Sequence, residues 1–445
     1  MLRRLFSTVP LLAVACIIWA GEAKDTLTLT LQEAIGIALS DNPTVKVADK
    51  DVELKKVASR ETWQSLLPEA SVGVALDHTI QAAEMKLNDM SFKMGYDGSN
   101  TMNAGLTISL PLFVPGVYKA MQMTKTDIEL SVEKSRASRQ DLVNQVTKAY
   151  YQLLLAQDSY EVMKRSYALS EENYEVVSAK YEHGKVSEYD KISAEVQMRS
   201  IKPSMVSAGN AIRLAGLNLK VLMGINSDLQ IKIMDSLAAH ENAMYEASDD
   251  YRGTSLEGNS TLRQMELSMK MLNKNIQTQR MNFLPTLGMN FTYNYQSLYN
   301  KNIRVFDYDW AGSASLMFNL SIPIYKAGNF TRMKTAKLKL NQLEWNRADV
   351  ERKISMEAES YRNNMDASSE QVMSNKENVK QAEKALSIAE KRYEVGNGTI
   401  LELNSSQMSL TQAKLVYNQS IYDYLVAKAD LDKVLGKGIF NTGVK

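Results

Sequence analysis

One cysteine and eight prolines in 445 residues leave this chain little with which to staple or to break itself. The single thiol, Cys16, sits near the N-terminus, so no internal disulfide and no paired-thiol chemistry is open to it. Scarce proline permits long uninterrupted elements, and an apolar share of 44% argues against disorder. The three histidines, His78, His183 and His240, have no ligand or nucleophile at a useful spacing. "GNG" at 396–398 is too short for a phosphate loop. No metal site, cofactor or catalytic residue is expected, and the chain does not read as an enzyme. Charge of one sign is missing as well: 52 basic and 51 acidic side chains create no field to gather nucleic acid. After the N-terminal segment there is no run of 18 apolar residues, so no transmembrane helix is expected. Any membrane role must come from strands.

The N-terminus, "MLRRLFSTVPLLAVACIIWAGEAKD", places two arginines ahead of an apolar run, with Gly21 and Ala23 at signal-peptidase positions. It reads as a secretory signal over residues 1–23. Cleavage would remove Cys16; the alternative, lipidation of Cys16, fits poorly because three further apolar residues follow it. The leader carries two basic residues and one acidic, so the mature chain is neutral.

Two halves of the chain resemble each other. "YEHG" at 181–184 returns as "YEVG" at 393–396, and "SLPLF" at 109–113 as "SIPIY" at 321–325, both shifted by 212. Leu142, Val146, Ala149, Leu153 and Ala156 begin a 4-3 spacing that continues to Tyr181; Ile354, Ala358, Tyr361 and Met365 begin its copy. Such a period is that of coiled-coil packing. A returning helix follows each "YExG", so each half holds a helical hairpin with a glycine at its tip. The outgoing helix, 117 to 181, would be roughly 100 Å long. Pro203 predicts a kink near residues 199–203. The domains expected are a first repeat over 24–224, an insert at 225–258, a second repeat over 259–436 and a tail at 437–445.

Each half opens with two alternating segments. Val72, Val74, Leu76, His78 and Ile80 share one face, as do Ala104, Leu106, Ile108 and Leu110. In the second half Leu287, Met289, Phe291, Tyr293 and Tyr295 are followed by Trp310, Ala314, Leu316, Phe318 and Leu320. Segments of about ten residues with one apolar face are the signature of outer-membrane barrel strands. The stretches 81–102 and 296–307 become outer loops. Four strands cannot close a barrel, and an open edge in lipid leaves backbone groups unpaired, so copies must join. Two copies would make eight strands and three would make twelve, wide enough for a water-filled path.

The opening "LTLQEAIGIALSDNP", the doubled helix–strand–strand–helix–helix order and both "YExG" tips together resemble the TolC-type outer-membrane efflux proteins over nearly all of the mature chain. The resemblance implies an α+β membrane protein. Long coiled-coil hairpins would form a periplasmic tunnel, and four transmembrane β-strands per chain would close a twelve-stranded barrel in a homotrimer. It implies residence in the outer membrane of a Gram-negative bacterium. It also implies docking to a periplasmic adaptor and an inner-membrane pump, of RND or ABC type, for export of small molecules or proteins. Helix tips that swing apart like an iris would gate the tunnel.

By position within the family pattern, Asp190 and Tyr393 are gate residues, with the Tyr393 hydroxyl expected to donate to the Asp190 carboxylate. Glu402 stands for an acidic ring at the mouth, whose second acid is replaced by Ser405. A family latch arginine is absent, its position being Gly398. The tips Gly184, Lys185 and Val186, and Gly396, Asn397, Gly398 and Thr399, are the expected adaptor contacts. Two other readings share this architecture: a non-conducting coiled-coil adhesin, and a copper or silver exporter suggested by 24 methionines, four of which (Met85, Met90, Met94, Met102) lie in the first outer loop.

Overall fold

The computed structural model describes residues 26–87, 90–225, 229–241, 244, 255–301 and 308–437. The expected leader with Cys16, the tail after Lys437 and much of the insert lie outside the described residues. Strand β1 (Thr26–Thr28) leads to helix α1 (Leu31–Asp41). A capping box starts α1: Thr30 Oγ1 accepts the Glu33 N–H at 3.3 Å while the Glu33 carboxylate accepts the Thr30 N–H at 2.9 Å. Helix α2 (Pro43–Gln64) begins with proline at its first position, where no hydrogen bond is lost.

Strands β2 (Glu69–Thr79), β3 (Ala83–Leu87), β4 (Met90–Met94) and β5 (Ser99–Phe113) come next. The first long hairpin is α3 (Pro115–Glu182) with α4 (Glu188–Met223). Strand β6 (Gln230–Lys232) pairs in parallel with β1 and precedes α5 (Ser260–Met281). Strands β7 (Thr286–Asn300) and β8 (Ala311–Ser321) lead into the second hairpin, α6 (Ala327–Glu394) with α7 (Ile400–Val434).

Helices α3 and α6 each hold 68 residues, about 100 Å at 1.5 Å per residue. Leu142, Val146, Ala149, Leu153 and Ala156 of α3 are buried, as are Ile354, Ala358 and Met365 of α6, so the 4-3 spacing marks the packed stripe. Helix α4 runs unbroken through Pro203. A polar seam joins the two hairpins where α3 meets α7. Asn144 donates to the Ala429 carbonyl and to Asp430, each at 3.0 Å, and Lys148 pairs with Asp430 at 2.9 Å. Lower down, buried Gln407 donates to the Ser166 carbonyl at 3.0 Å and to Ser170. At the far end of α7, Gly436 (φ +68°) lies against Gly258 so tightly that a Cβ would strike the Gly258 carbonyl.

The four long strands form one antiparallel sheet in the order β2-β5-β7-β8. It extends beyond the alternating segments. Strand β5 already begins at Ser99, β7 reaches Asn300, and β3 pairs with β4 as a separate hairpin, so the expected outer loop 81–102 is largely strand. The polar ends lie past the apolar band, where backbone pairing and polar side-chain bonds such as Asn300 Nδ2 to Ser297 Oγ hold them and no alternation is required.

Candidate functional site

The register of the sheet assembles one apolar face from all four strands. Ala70, Ile108, Phe291 and Leu316 form one row, and Val72, Leu106, Tyr293 and Ala314 the next. The opposite face carries the rows Ser71–Thr107–Thr292–Ser315 and Gly73–Gly105–Asn294–Ser313. Gly105 makes room for its neighbour, since a Cβ there would collide with the Asn294 side chain. The apolar residues are not covered by the rest of the chain: Val72 is 75% exposed and Phe318 61%. Among the described residues, strands β2 and β8 are both unpaired edges. Their eleven residues each reach about 36 Å at about 3.3 Å per residue, and a tilt of about 45° projects this onto the roughly 25 Å apolar band of a barrel. Tyr295 stacks on Trp310 at 5.1 Å at the end of the sheet away from the helices, and Phe283 packs on Phe330 at 5.0 Å at the other end. Only the first of these aromatic pairs consists of strand-end residues; the second sits where α5 ends and α6 begins.

At the opposite pole the hairpins turn on one design used twice. Helix α3 ends with the Gly184 N–H donating to the Tyr181 carbonyl at 2.8 Å and the Lys185 N–H to Lys180 at 2.9 Å. Helix α6 repeats it with Gly396 to Tyr393 at 3.2 Å and Asn397 to Arg392 at 2.8 Å. Both are Schellman turns, and the glycines supply the positive φ of +67° and +80° that they require. Three residues after each glycine Ser187 and Thr399 cap the returning helices, accepting from the Asp190 and Glu402 N–H groups at 3.2 Å each.

Asp190 is therefore a capping residue. Its Oδ2 accepts from Ser187 Oγ at 2.8 Å and from the Ser187 N–H at 3.1 Å. The expected Tyr393–Asp190 hydrogen bond is not formed within the chain; the Asp190 Oδ2 serves its own helix end instead. Tyr393 Oη is buried and has no hydrogen-bond partner among the described residues. Burial, and secondarily the nearby Asp190 charge, push the Tyr393 phenol above its ordinary pKa. What the ring does touch is Lys180 of the other hairpin, whose Nζ lies 5.0 Å from its centroid. Around it Val177, Ala194, Leu386, Ala389, Ile400 and Leu403 form an apolar cluster built from both hairpins. Glu402 does not close a capping box; its Oε2 faces Arg392 at 3.6 Å instead. At Gly398 a Cβ would come within 3.0–3.1 Å of the Arg392 and Tyr393 backbone, so no arginine fits there without moving the turn.

The sequence profile of the outer membrane efflux protein family matches residues 34–225 and 252–437, both hairpins and all four barrel strands included. This chain belongs to that family. It is an outer-membrane efflux channel of the TolC type, with its helical tunnel in the periplasm. The outer membrane protein TolC of Vibrio cholerae is 22% identical over 423 residues, covering 93% of this chain and 95% of its own length. Among solved structures, CusC superimposes with a TM-score of 0.74 at 17% identity, over 95% of this efflux protein and 96% of CusC. The Campylobacter jejuni CmeC outer membrane channel gives 0.73 at 16% identity, over 96% and 92%.

Sequence reasoning missed how the efflux protein ties its hairpins together at mid-height. The Leu237 N–H donates to Asp158 of α3 at 2.9 Å. Buried Glu241 accepts from Lys376 of α6 at 3.0 Å and from Tyr417 Oη of α7 at 2.9 Å, and Tyr424 Oη donates to the Met244 carbonyl at 3.0 Å. Leu237, Glu241 and Met244 thus staple three helices. Burial lifts the Asp158 carboxyl above its ordinary value; the Leu237 N–H opposes the rise, and Asp235 and Glu161 add to it. The folded chain then binds this proton more readily than the unfolded chain. Asp158 weakens the fold above its raised pKa, and the penalty fades as pH falls toward the usual carboxylate value of about 4. Asp158→Asn keeps an acceptor for Leu237. Its denaturation midpoint is expected to exceed that of the wild type at neutral pH, with the gain shrinking as the titration is carried into acid.

Proposed function

We propose that three copies join through the β8 edge of one and the β2 edge of the next. They form a twelve-stranded barrel above a twelve-helix tunnel that exports solutes handed over by an inner-membrane pump and its periplasmic adaptor. The observation that carries this reading is the sheet: four strands with one continuous apolar face and both edges open. In hydrocarbon each unpaired backbone group costs several kcal/mol, about the worth of a whole stabilised core contact, so the edges must be joined. The strands alternate in direction, which makes β8 antiparallel to an incoming β2. The polar rows of serine, threonine, asparagine and glycine would then line the path. Detergent-purified protein is expected to have the mass of three copies and to conduct in a planar bilayer; a trimer that never conducts would favour the adhesin.

The adaptor is assigned to the tips, through Lys185 and Val186 beside Gly184, and through Asn397 and Thr399 beside Gly396 and Gly398. Closure of the tunnel is assigned to the apolar cluster between the tips and to Tyr393, with Asp190 fixing the turn and setting the charge near the ring. Because the Tyr393 hydroxyl has no partner, Tyr393→Phe should leave resting single-channel conductance unchanged. Tyr393→Ala removes the ring that bridges to Lys180 and should raise conductance severalfold. Asp190→Ala, which loses the cap, should raise it as well. A rise with Tyr393→Phe equal to that with Tyr393→Ala would instead assign closure to the hydroxyl.

A further inference from the structure

We infer that the tunnel mouth is electrically neutral because Arg392 cancels Glu402 within each copy, so that the channel passes solutes of either charge sign. The inference rests on the tips being the entrance of the conducting path. An unpaired carboxylate at Glu402 would give a trimer a ring of negative charge, which concentrates cations at a narrow entrance. Here the carboxylate has a fixed counter-charge. Arg392 Nη2 donates to the Asn397 carbonyl at 3.1 Å, which holds the guanidinium over the turn. From there it lies 3.6 Å from Glu402 Oε2. Nothing pulls Glu402 away, since it does not return to cap its own helix as Asp190 does. The space at 398 is closed to any competing side chain by the Arg392 and Tyr393 backbone. The next candidate acid position is Ser405.

An ion pair this exposed adds little stability. Cancelling a field is a different requirement. Two opposite charges 3.6 Å apart leave only a short-ranged dipole field, and physiological salt, with a Debye length of about 8 Å, damps what remains. The surrounding tips offer no replacement field. From Lys180 to Lys191 and from Lys391 to Glu402 there are five basic and five acidic side chains.

The test is the K⁺/Cl⁻ permeability ratio, read from the reversal potential of single channels in a planar bilayer under a KCl gradient. The wild type should lie within about twofold of unity. Arg392→Gln unmasks Glu402 and should move the ratio toward K⁺; Glu402→Gln leaves Arg392 alone and should move it toward Cl⁻. The double variant should return close to the wild type, as should the exchange of Arg392→Glu with Glu402→Arg, which keeps the pair. A wild-type channel with a strong K⁺ preference, or two single variants that shift the same way or not at all, would overturn the inference. Absence of conductance in a folded trimeric wild type would overturn the reading of the tips as a pore entrance, and this inference with it. Helical circular dichroism and trimer mass, checked for every variant, separate loss of selectivity from loss of fold.

Discussion

Leu316→Arg is expected to abolish assembly in the membrane. Leu316 lies at the middle of β8, in the apolar row with Ile108 and Phe291. Arginine at the bilayer midplane of a barrel's lipid face costs about 2–4 kcal/mol, and a closed trimer would carry it three times. Native proteins have only about 5–15 kcal/mol in hand, so most of the margin disappears. The neighbouring change Ser315→Arg introduces the same side chain one residue away, on the face shared with Thr107 and Thr292. There the guanidinium reaches water, and folding is expected to survive while conductance falls. Folded, heat-modifiable trimer recovered from outer-membrane vesicles measures both. Equal losses for the two variants would mean that the exposed apolar rows do not face lipid.

Gly436→Ala should be the most damaging of the glycine changes, and Gly184→Ala gives the scale. Both glycines have positive φ, +68° and +67°. At Gly184 a Cβ meets nothing within 4 Å, so the penalty is that of the left-handed backbone alone, about 1–2 kcal/mol. At Gly436 the Cβ also runs into the Gly258 carbonyl, and neither side is a flexible chain that can turn away. Relief requires parting the end of α7 from the start of α5. That loosens the Asn259 amide from the Val434 carbonyl, now 2.8 Å away, and Arg136 from the Gly258 carbonyl at 3.1 Å. A loss of about 3–5 kcal/mol is expected, against about 1–2 for Gly184→Ala, by guanidinium denaturation followed by circular dichroism. A similar midpoint for the two variants would show that the close approach can relax freely.

The parts of this fold that were legible in the sequence are those where a solvent imposes a period. Hydrocarbon demands alternation, so Leu287 to Tyr295 could be read as strand, whereas Gln296 to Asn300 could not, because those residues are held by backbone pairing and by polar contacts such as Asn300 to Ser297, which impose no apolar period. Coiled-coil contact demands the 4-3 spacing, and the outgoing helix expected over 117–181 falls within two residues of α3, Pro115–Glu182. Strands β1 and β6 have three residues each, too few to show any period. At the tips the glycines were visible and the chemistry was only partly so. Ser187-x-x-Asp190 has the spacing of a capping box, and that local use of Asp190 was overlooked in favour of a bond across the hairpins. Arg392 could not have been found from spacing. It meets Asn397 and Glu402 only because the Schellman turn folds the chain back over the end of α6.

A further consequence follows from the even count of strands in β2-β5-β7-β8. Any ring built head to tail from such a sheet has the same ladder at every seam, whether it holds two, three or four copies. An error in stoichiometry would therefore leave no trace among the backbone bonds of the wall. In the proposed assembly, fidelity of counting would lie with the rods below, whose mutual inclination changes with the circumference they enclose.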